Sequence, residues 1–152
     1  MKSVLFVCTA NLCRSPLAQG LFHYHLGKSL DGWKIDSAGI WAEEGNPPSS
    51  KTLQILREKG IALSDQRSKR IERSILEQFA LVLTMEKGQK EALQIEFPEH
   101  REKIFLLSEM VGRSYDIADP VGGDLEDYRR TAEEIDRILS EGLERIAGLA
   151  EE

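Results

Sequence analysis

Residues 4–16 read Val4-Leu5-Phe6-Val7-Cys8-Thr9-Ala10-Asn11-Leu12-Cys13-Arg14-Ser15-Pro16, and their order decides the fold. Val4 to Val7 form a short unbroken apolar run of β-formers, the mark of a strand buried on both faces of a parallel sheet. Ser15 and Pro16 suit the N-cap and the first position of a helix. Leu17, Leu21 and Tyr24 or His25 then recur at helical spacing. The segment therefore predicts strand, loop and helix, with residues 8–15 as the loop.

The pattern repeats outward from there. Residues 33–37 read as a second strand ended by Gly39, and Gly45-Asn46-Pro47-Pro48-Ser49 is turn chemistry that also caps a helix behind it. Leu53 and Leu56 mark that helix, running to Lys59, with Gly60 as its stop. Residues 63–69 read as loop, and Ile71, Ile75 and Phe79 suggest a short helix. Leu81-Val82-Leu83 is a third buried strand, residues 89–97 are helical up to Pro98, and Ile104-Phe105-Leu106-Leu107 is a fourth strand. A loop spans residues 112–123. Leu125, Tyr128, Ala132, Ile135, Leu139, Leu143 and Ile146 predict one long amphipathic C-terminal helix. Alternating strands and helices imply a doubly wound α/β sheet formed by residues 1–152 as a single domain. Ligands in such folds sit beyond the C-terminal ends of the strands, where residues 8–15 fall.

The loop also carries chemistry. Cys8 and Arg14 flank five residues in a tight turn between strand and helix. If that turn curls around an anion, the backbone N–H groups of Thr9, Ala10, Asn11, Leu12 and Cys13 converge on it. The helix N-terminus adds a favourable dipole, and Arg14 offers two parallel hydrogen bonds to phosphate oxygens. Cys8 lies at the base of this cradle, in surroundings that favour a nucleophilic thiolate. Ser15 is placed to donate a hydrogen bond to the Cys8 sulfur, and Asn11 to brace the loop backbone. On its own, a cysteine and an arginine at this spacing also fit a buried strand-end residue and a surface cation. The apolar strand before the pair and the Ser-Pro helix start behind it favour the cradle.

Composition narrows the alternatives. The chain has 152 residues, a net charge of −6, two cysteines and three histidines. An acidic chain lacks the broad basic face of a nucleic-acid binder, although a local anion site remains compatible with it. Cys8 and Cys13 lie too close together to staple a domain, and His23, His25 and His100 show no zinc-ligand spacing, so no metal or other cofactor is expected. The apolar run after Lys2 is too short for a signal segment, and no stretch is long and apolar enough to span a membrane. These features point to the cytoplasm, with no nucleic-acid or membrane partner.

The segment from Val7 to Pro16 resembles the signature of the low-molecular-weight protein tyrosine phosphatase family. The resemblance extends over essentially the whole chain, through Asp36-Ser37-Ala38-Gly39, Leu81-Val82-Leu83-Thr84-Met85-Glu86 and Asp119-Pro120. It implies a four-stranded parallel sheet flanked by helices, no metal, a phosphorylated protein as substrate and inorganic phosphate as product. It also implies a cysteinyl-phosphate on Cys8, Arg14 as phosphate clamp and Asp119 as general acid. A phenolate leaving group needs that proton, since phenols have a pKa of about 10, and an acidic pH optimum is expected. The resemblance further implies that Ser37 bonds Asn11. Cys13 either packs behind the loop or pairs with Cys8 under oxidation, and the resemblance favours the second.

The chain departs from the family pattern in two places. Gln66 stands where many members carry a histidine. Val121-Gly122-Gly123 comes after Asp119-Pro120 where many carry aromatic residues, a form resembling the protein arginine phosphatase branch. In that branch a small threonine occupies the loop position held here by Leu12. A bulky Leu12 packs on an aromatic ring and crowds a guanidinium, which favours phosphotyrosine, with Leu12, Trp41 and Val121 as pocket walls. Phosphoarginine is the alternative substrate. A thiol-dependent arsenate reductase would need a third cysteine for an internal relay, and a phosphopeptide-binding module would have no use for the intact set of Cys8, Arg14 and Asp119.

Overall fold

A computed structural model describes residues 1–152. Four parallel strands form one sheet: β1 (Lys2–Cys8), β2 (Trp33–Gly39), β3 (Leu81–Thr84) and β4 (Ile104–Leu106), in the order β2-β1-β3-β4. The helices are α1 (Arg14–Leu26), α2 (Ser50–Glu58), α3 (Arg73–Leu76), α4 (Lys87–Glu96), α5 (Leu125–Glu141) and α6 (Leu143–Leu149). This is the expected α/β arrangement of a four-stranded parallel sheet covered on both faces.

Strand alternation explains how both faces are filled. Val4, Phe6 and Cys8 point to one side of β1, where they join Leu17, Leu21 and Phe22 of α1 and Ile135, Ile138 and Leu139 of α5. Leu5 and Val7 point to the other side and pack with Leu76 at the end of α3, Leu93 of α4 and Phe97. The chain leaves β1 toward β2 on one side and returns to β3 on the other, so the switch in strand order lies at the end of β1. The loop after Cys8 opens into that crevice.

Most element ends shift by one or two residues, and two differences from the expectation matter for packing. Ser15 and Pro16 lie inside α1, which begins at Arg14. The loop curls directly into a helical turn, Leu17 N–H donating to the Cys13 carbonyl at 3.0 Å, and the Ser15 hydroxyl turns to Cys8 instead of capping. Pro16 is tolerated because amides in a first helical turn have no intrahelical acceptor. The C-terminal helix is broken at Gly142, between α5 and α6. A Cβ there would lie 2.9 Å from the Ile138 carbonyl oxygen and from the Met110 Cβ, so close packing against Met110 requires glycine at the break. No helix is long and apolar enough to cross a membrane.

Candidate active site

The backbone of residues 8–15 is held from outside by its carbonyls. Ile40 N–H donates to the Cys8 carbonyl at 3.0 Å and Trp41 N–H to the Thr9 carbonyl at 2.9 Å. A trans peptide points its C=O and the following N–H in opposite directions. Carbonyls tied outward therefore turn the Thr9 and Ala10 amides inward. No N–H from Thr9 to Ser15 donates to another group of the protein. Such a run of free amides at a helix start is an anion cradle. Gly39 makes the outer clasp possible, because a Cβ there would lie 2.6 Å from the Thr9 carbonyl oxygen.

Side chains complete the brace. Asn11 sits in the left-handed region with φ 61° and is fully enclosed. Its Oδ1 accepts from Lys69 N–H at 3.0 Å, which orients the amide so that Nδ2 donates to Ser15 Oγ and Ser37 Oγ, both at 2.9 Å. The Ser15 proton is then free for the Cys8 sulfur, 3.0 Å away. Ser37 donates to Gln19 Oε1 at 2.6 Å, and Gln66 Nε2 donates back to Ser37 Oγ at 3.2 Å. Gln66 thus joins the network from the position where the family pattern often has histidine. On the opposite flank Gln89 Nε2 holds the Thr9 hydroxyl at 3.0 Å.

Arg14 is 1% exposed, and its guanidinium is anchored on one edge. Nη1 donates to Glu86 Oε2 at 2.5 Å and to the Ile117 carbonyl at 2.7 Å. Nη2 lies 3.4 Å from the half-exposed Asp119 carboxylate. One residue therefore ties the loop of residues 8–15 to the exit of β3 and to the loop of residues 112–123. Val121 N–H donates to Asp119 Oδ1 at 3.0 Å and fixes the carboxyl's direction.

Cys8, Ala10, Leu12, Cys13, Arg14, Asp119 and Val121 line one cavity of about 40 Å³ over the Cys8 sulfur. Most of the expected site residues meet there, with Ser15 and Ser37 behind them. Both cysteines are free thiols. Cys13 Sγ lies 3.4 Å from the Tyr128 hydroxyl, and burial first, then this hydrogen bond, push that phenol up to about 12. Trp41 does not line the cavity. Its ring is 70% exposed with the Arg70 guanidinium 5.1 Å from its centre, because the chain leaving β2 turns the side chain away after its N–H has clasped Thr9.

Glu86, Gln89, Gln19 and Lys69 did not stand out in the sequence as site residues. A buried arginine requires a carboxylate partner, and Glu86, just past β3, was the signal available for one. The two glutamines and Lys69 act through contacts 80, 18 and 58 residues away in the chain, which local pattern does not reveal.

A family model described as low molecular weight phosphotyrosine protein phosphatase matches residues 3–150. Among curated relatives, a protein-arginine-phosphatase of Geobacillus stearothermophilus is 38% identical over 144 residues, covering 94% of this chain and 95% of that protein. A probable low molecular weight protein-tyrosine-phosphatase, EpsP, of Ralstonia nicotianae is 34% identical over 149 residues, covering 98% and 99%. The crystal structure of a low molecular weight protein tyrosine phosphatase from T. tengcongensis superposes with a TM-score of 0.90 at 40% identity, covering 95% of this chain and 99% of that one.

Proposed function

Because the chain belongs to the low molecular weight phosphotyrosine protein phosphatase family and is a phosphatase, we propose that it hydrolyses phosphotyrosine in proteins through a cysteinyl-phosphate on Cys8. The observation that carries the reading is the Cys8 sulfur held by Ser15 at 3.0 Å, beneath a run of unpaired amides closed by the buried Arg14. The phosphate's non-bridging oxygens take the amides and the free edge of Arg14. The sulfur attacks phosphorus as the ester P–O bond breaks, and Asp119 gives its proton to the departing phenolate oxygen. The Asp119 carboxylate then takes a proton from water. The water oxygen bonds to phosphorus, the S–P bond breaks, and phosphate leaves. Ser15 stabilises the sulfur as it departs with the electron pair. Turnover of para-nitrophenyl phosphate tests this directly: the wild type turns over and Cys8→Ser does not. Equal activity in both would remove Cys8 from the reaction.

Leu12, Ala10 and Val121 give the cavity an apolar wall suited to an aromatic ring. A second reading, phosphoarginine, draws support from Gly122-Gly123 in the acid loop and from the arginine phosphatase among the relatives. Side-by-side turnover of phosphotyrosine and phosphoarginine peptides separates the two. Leu12→Thr shifts the ratio toward phosphoarginine on the first reading, and an unchanged ratio refutes the part given to Leu12. We place the reaction in the cytoplasm, where reducing conditions keep Cys8 a thiol. Cys13, on the same cavity, is the partner for a reversible protective disulfide.

A further inference from the structure

The first turn of α2 touches both loops of the site. Ser49 caps the helix, its Oγ accepting from Thr52 N–H at 3.2 Å. Ser49 N–H also donates to the Leu12 carbonyl at 3.0 Å, and the buried Thr52 hydroxyl donates to the same oxygen at 3.1 Å. By the peptide geometry that orients Thr9 and Ala10, a Leu12 carbonyl held outward turns the Cys13 N–H into the cradle. Next to Thr52, Lys51 reaches the other way. Its Nζ donates to the Gly123 carbonyl at 2.8 Å, with the charge 5.6 Å from the centre of the Tyr128 ring. Gly123 N–H closes a turn on the Pro120 carbonyl at 2.9 Å, immediately after Asp119.

We propose that this turn is a clasp that sets the spacing between the phosphate loop and the acid loop, with Thr52 and Lys51 as positioning residues. The proposal rests on the phosphatase reading and deepens it. Thr52 acts through the Cys13 amide, so it governs how tightly phosphate is held. Lys51 acts through Gly123 on the turn that carries Asp119, so it governs proton delivery to the leaving oxygen. The two hooks reach different loops from one helical turn and therefore separate in their effects.

Leaving-group dependence tests the Lys51 arm. Para-nitrophenolate departs readily as an anion, whereas phenolate needs the proton. Lys51→Met keeps an unbranched apolar stem and removes the donor together with its charge beside Tyr128. It is expected to lower kcat/KM on phenyl phosphate about tenfold and on para-nitrophenyl phosphate less than about twofold, a fraction of what a general acid contributes. Lys51→Arg restores the first value. Equal losses on the two esters, or no loss on either, overturns the proposal. Thr52→Val is expected to weaken inhibition by inorganic phosphate about tenfold, the scale of one hydrogen bond to a charged group, and Thr52→Ser to restore it. Unchanged inhibition in a folded Thr52→Val protein overturns that arm, and a misfolded one leaves the Lys51 arm to decide. Should wild-type enzyme fail on para-nitrophenyl phosphate, the phosphatase reading itself fails. Wild-type turnover with no leaving-group split sinks only the clasp.

Discussion

In the loop of residues 8–15, Cys8, Asn11, Arg14 and Ser15 are all buried, whereas in the loop of residues 112–123 the Asp119 carboxyl is half-exposed and Val121 is 66% exposed. The first loop has its carbonyls tied by Ile40, Trp41 and Ser49 and its Asn11 side chain held by three partners. Around Asp119 the second loop has Arg14 on Ile117, Val121 on the Asp119 carboxyl, the turn closed by Gly123, and Lys51 on Gly123. A cradle that stabilises a transition state must be fixed before the substrate arrives, since reorganising dipoles during the reaction costs rate. On the proposed reading Asp119 must stay reachable for a leaving group, and its half-exposed carboxyl leaves it so.

Arg14 is where the two loops are joined, and changing it tests whether they work as one site. Arg14→Lys keeps the charge. A single ammonium cannot hold Glu86, the Ile117 carbonyl and two phosphate oxygens at once. The expected loss in kcat/KM on para-nitrophenyl phosphate is about 10³-fold, the upper range for removing a preorganised oxyanion donor. A loss under tenfold would mean that the guanidinium is not the clamp.

Asp119→Ala isolates the acid loop. With Asp119 as proton donor only, the variant keeps inhibition by inorganic phosphate within about twofold and loses about 10²-fold in kcat/KM on phenyl phosphate. The loss on para-nitrophenyl phosphate is smaller, because its leaving group depends less on a proton. If phosphate binding falls in step with turnover, Asp119 is part of the cradle and the contrast between the loops dissolves.

Asn11 isolates the cradle's rigidity. Its φ of 61° and its side-chain bonds to Lys69, Ser15 and Ser37 make separate contributions. Asn11→Ala loses the bonds and keeps the unfavourable backbone, so denaturant unfolding is expected to show a loss of about 3 kcal/mol. Asn11→Gly loses the same bonds but accepts the left-handed conformation, and its loss is expected to be about 1 kcal/mol less. Identical stabilities for the two variants would mean that the loop backbone relaxes once the side chain is gone.

The same contrast explains what was legible in the sequence. The phosphate loop is a local object: an apolar strand, a turn and a helix start, written in consecutive residues from Val4 to Pro16. β1, β3 and β4 were legible for the same reason, because each is a short, largely buried apolar run, whereas β2 is a mixed, half-buried edge strand read from residues 33–37 with Gly39 behind them. What holds the loop in shape is not local. Glu86, Gln89, Gln19 and Lys69 come from separate segments that only the sheet brings together. The break at Gly142 was hidden because the apolar spacing continues through it, and the crowding by Met110 that calls for glycine there comes from another segment. Trp41 illustrates the reverse error, a large aromatic just past β2 whose backbone rather than its ring touches the loop.

Tyr128 gives the smallest effect and examines the cradle from behind. Its hydroxyl meets Cys13 at 3.4 Å, and its ionisation is pushed from the ordinary value near 10 up to about 12 by burial and by that hydrogen bond. The folded protein therefore resists losing this proton more than the unfolded chain does. The resulting stability is fully present below pH 10 and disappears as the pH rises from 10 to about 12. Tyr128→Phe removes both the hydrogen bond and the titrating group. At pH 7 it is expected to cost no more than about 1 kcal/mol. Between pH 10 and about 12 the wild type should lose stability more steeply than the variant, since only the wild type has this phenol to ionise. Parallel pH profiles for the two proteins would mean that Tyr128 ionises as freely in the folded state as in the unfolded one, and that the wall behind Cys13 is wet.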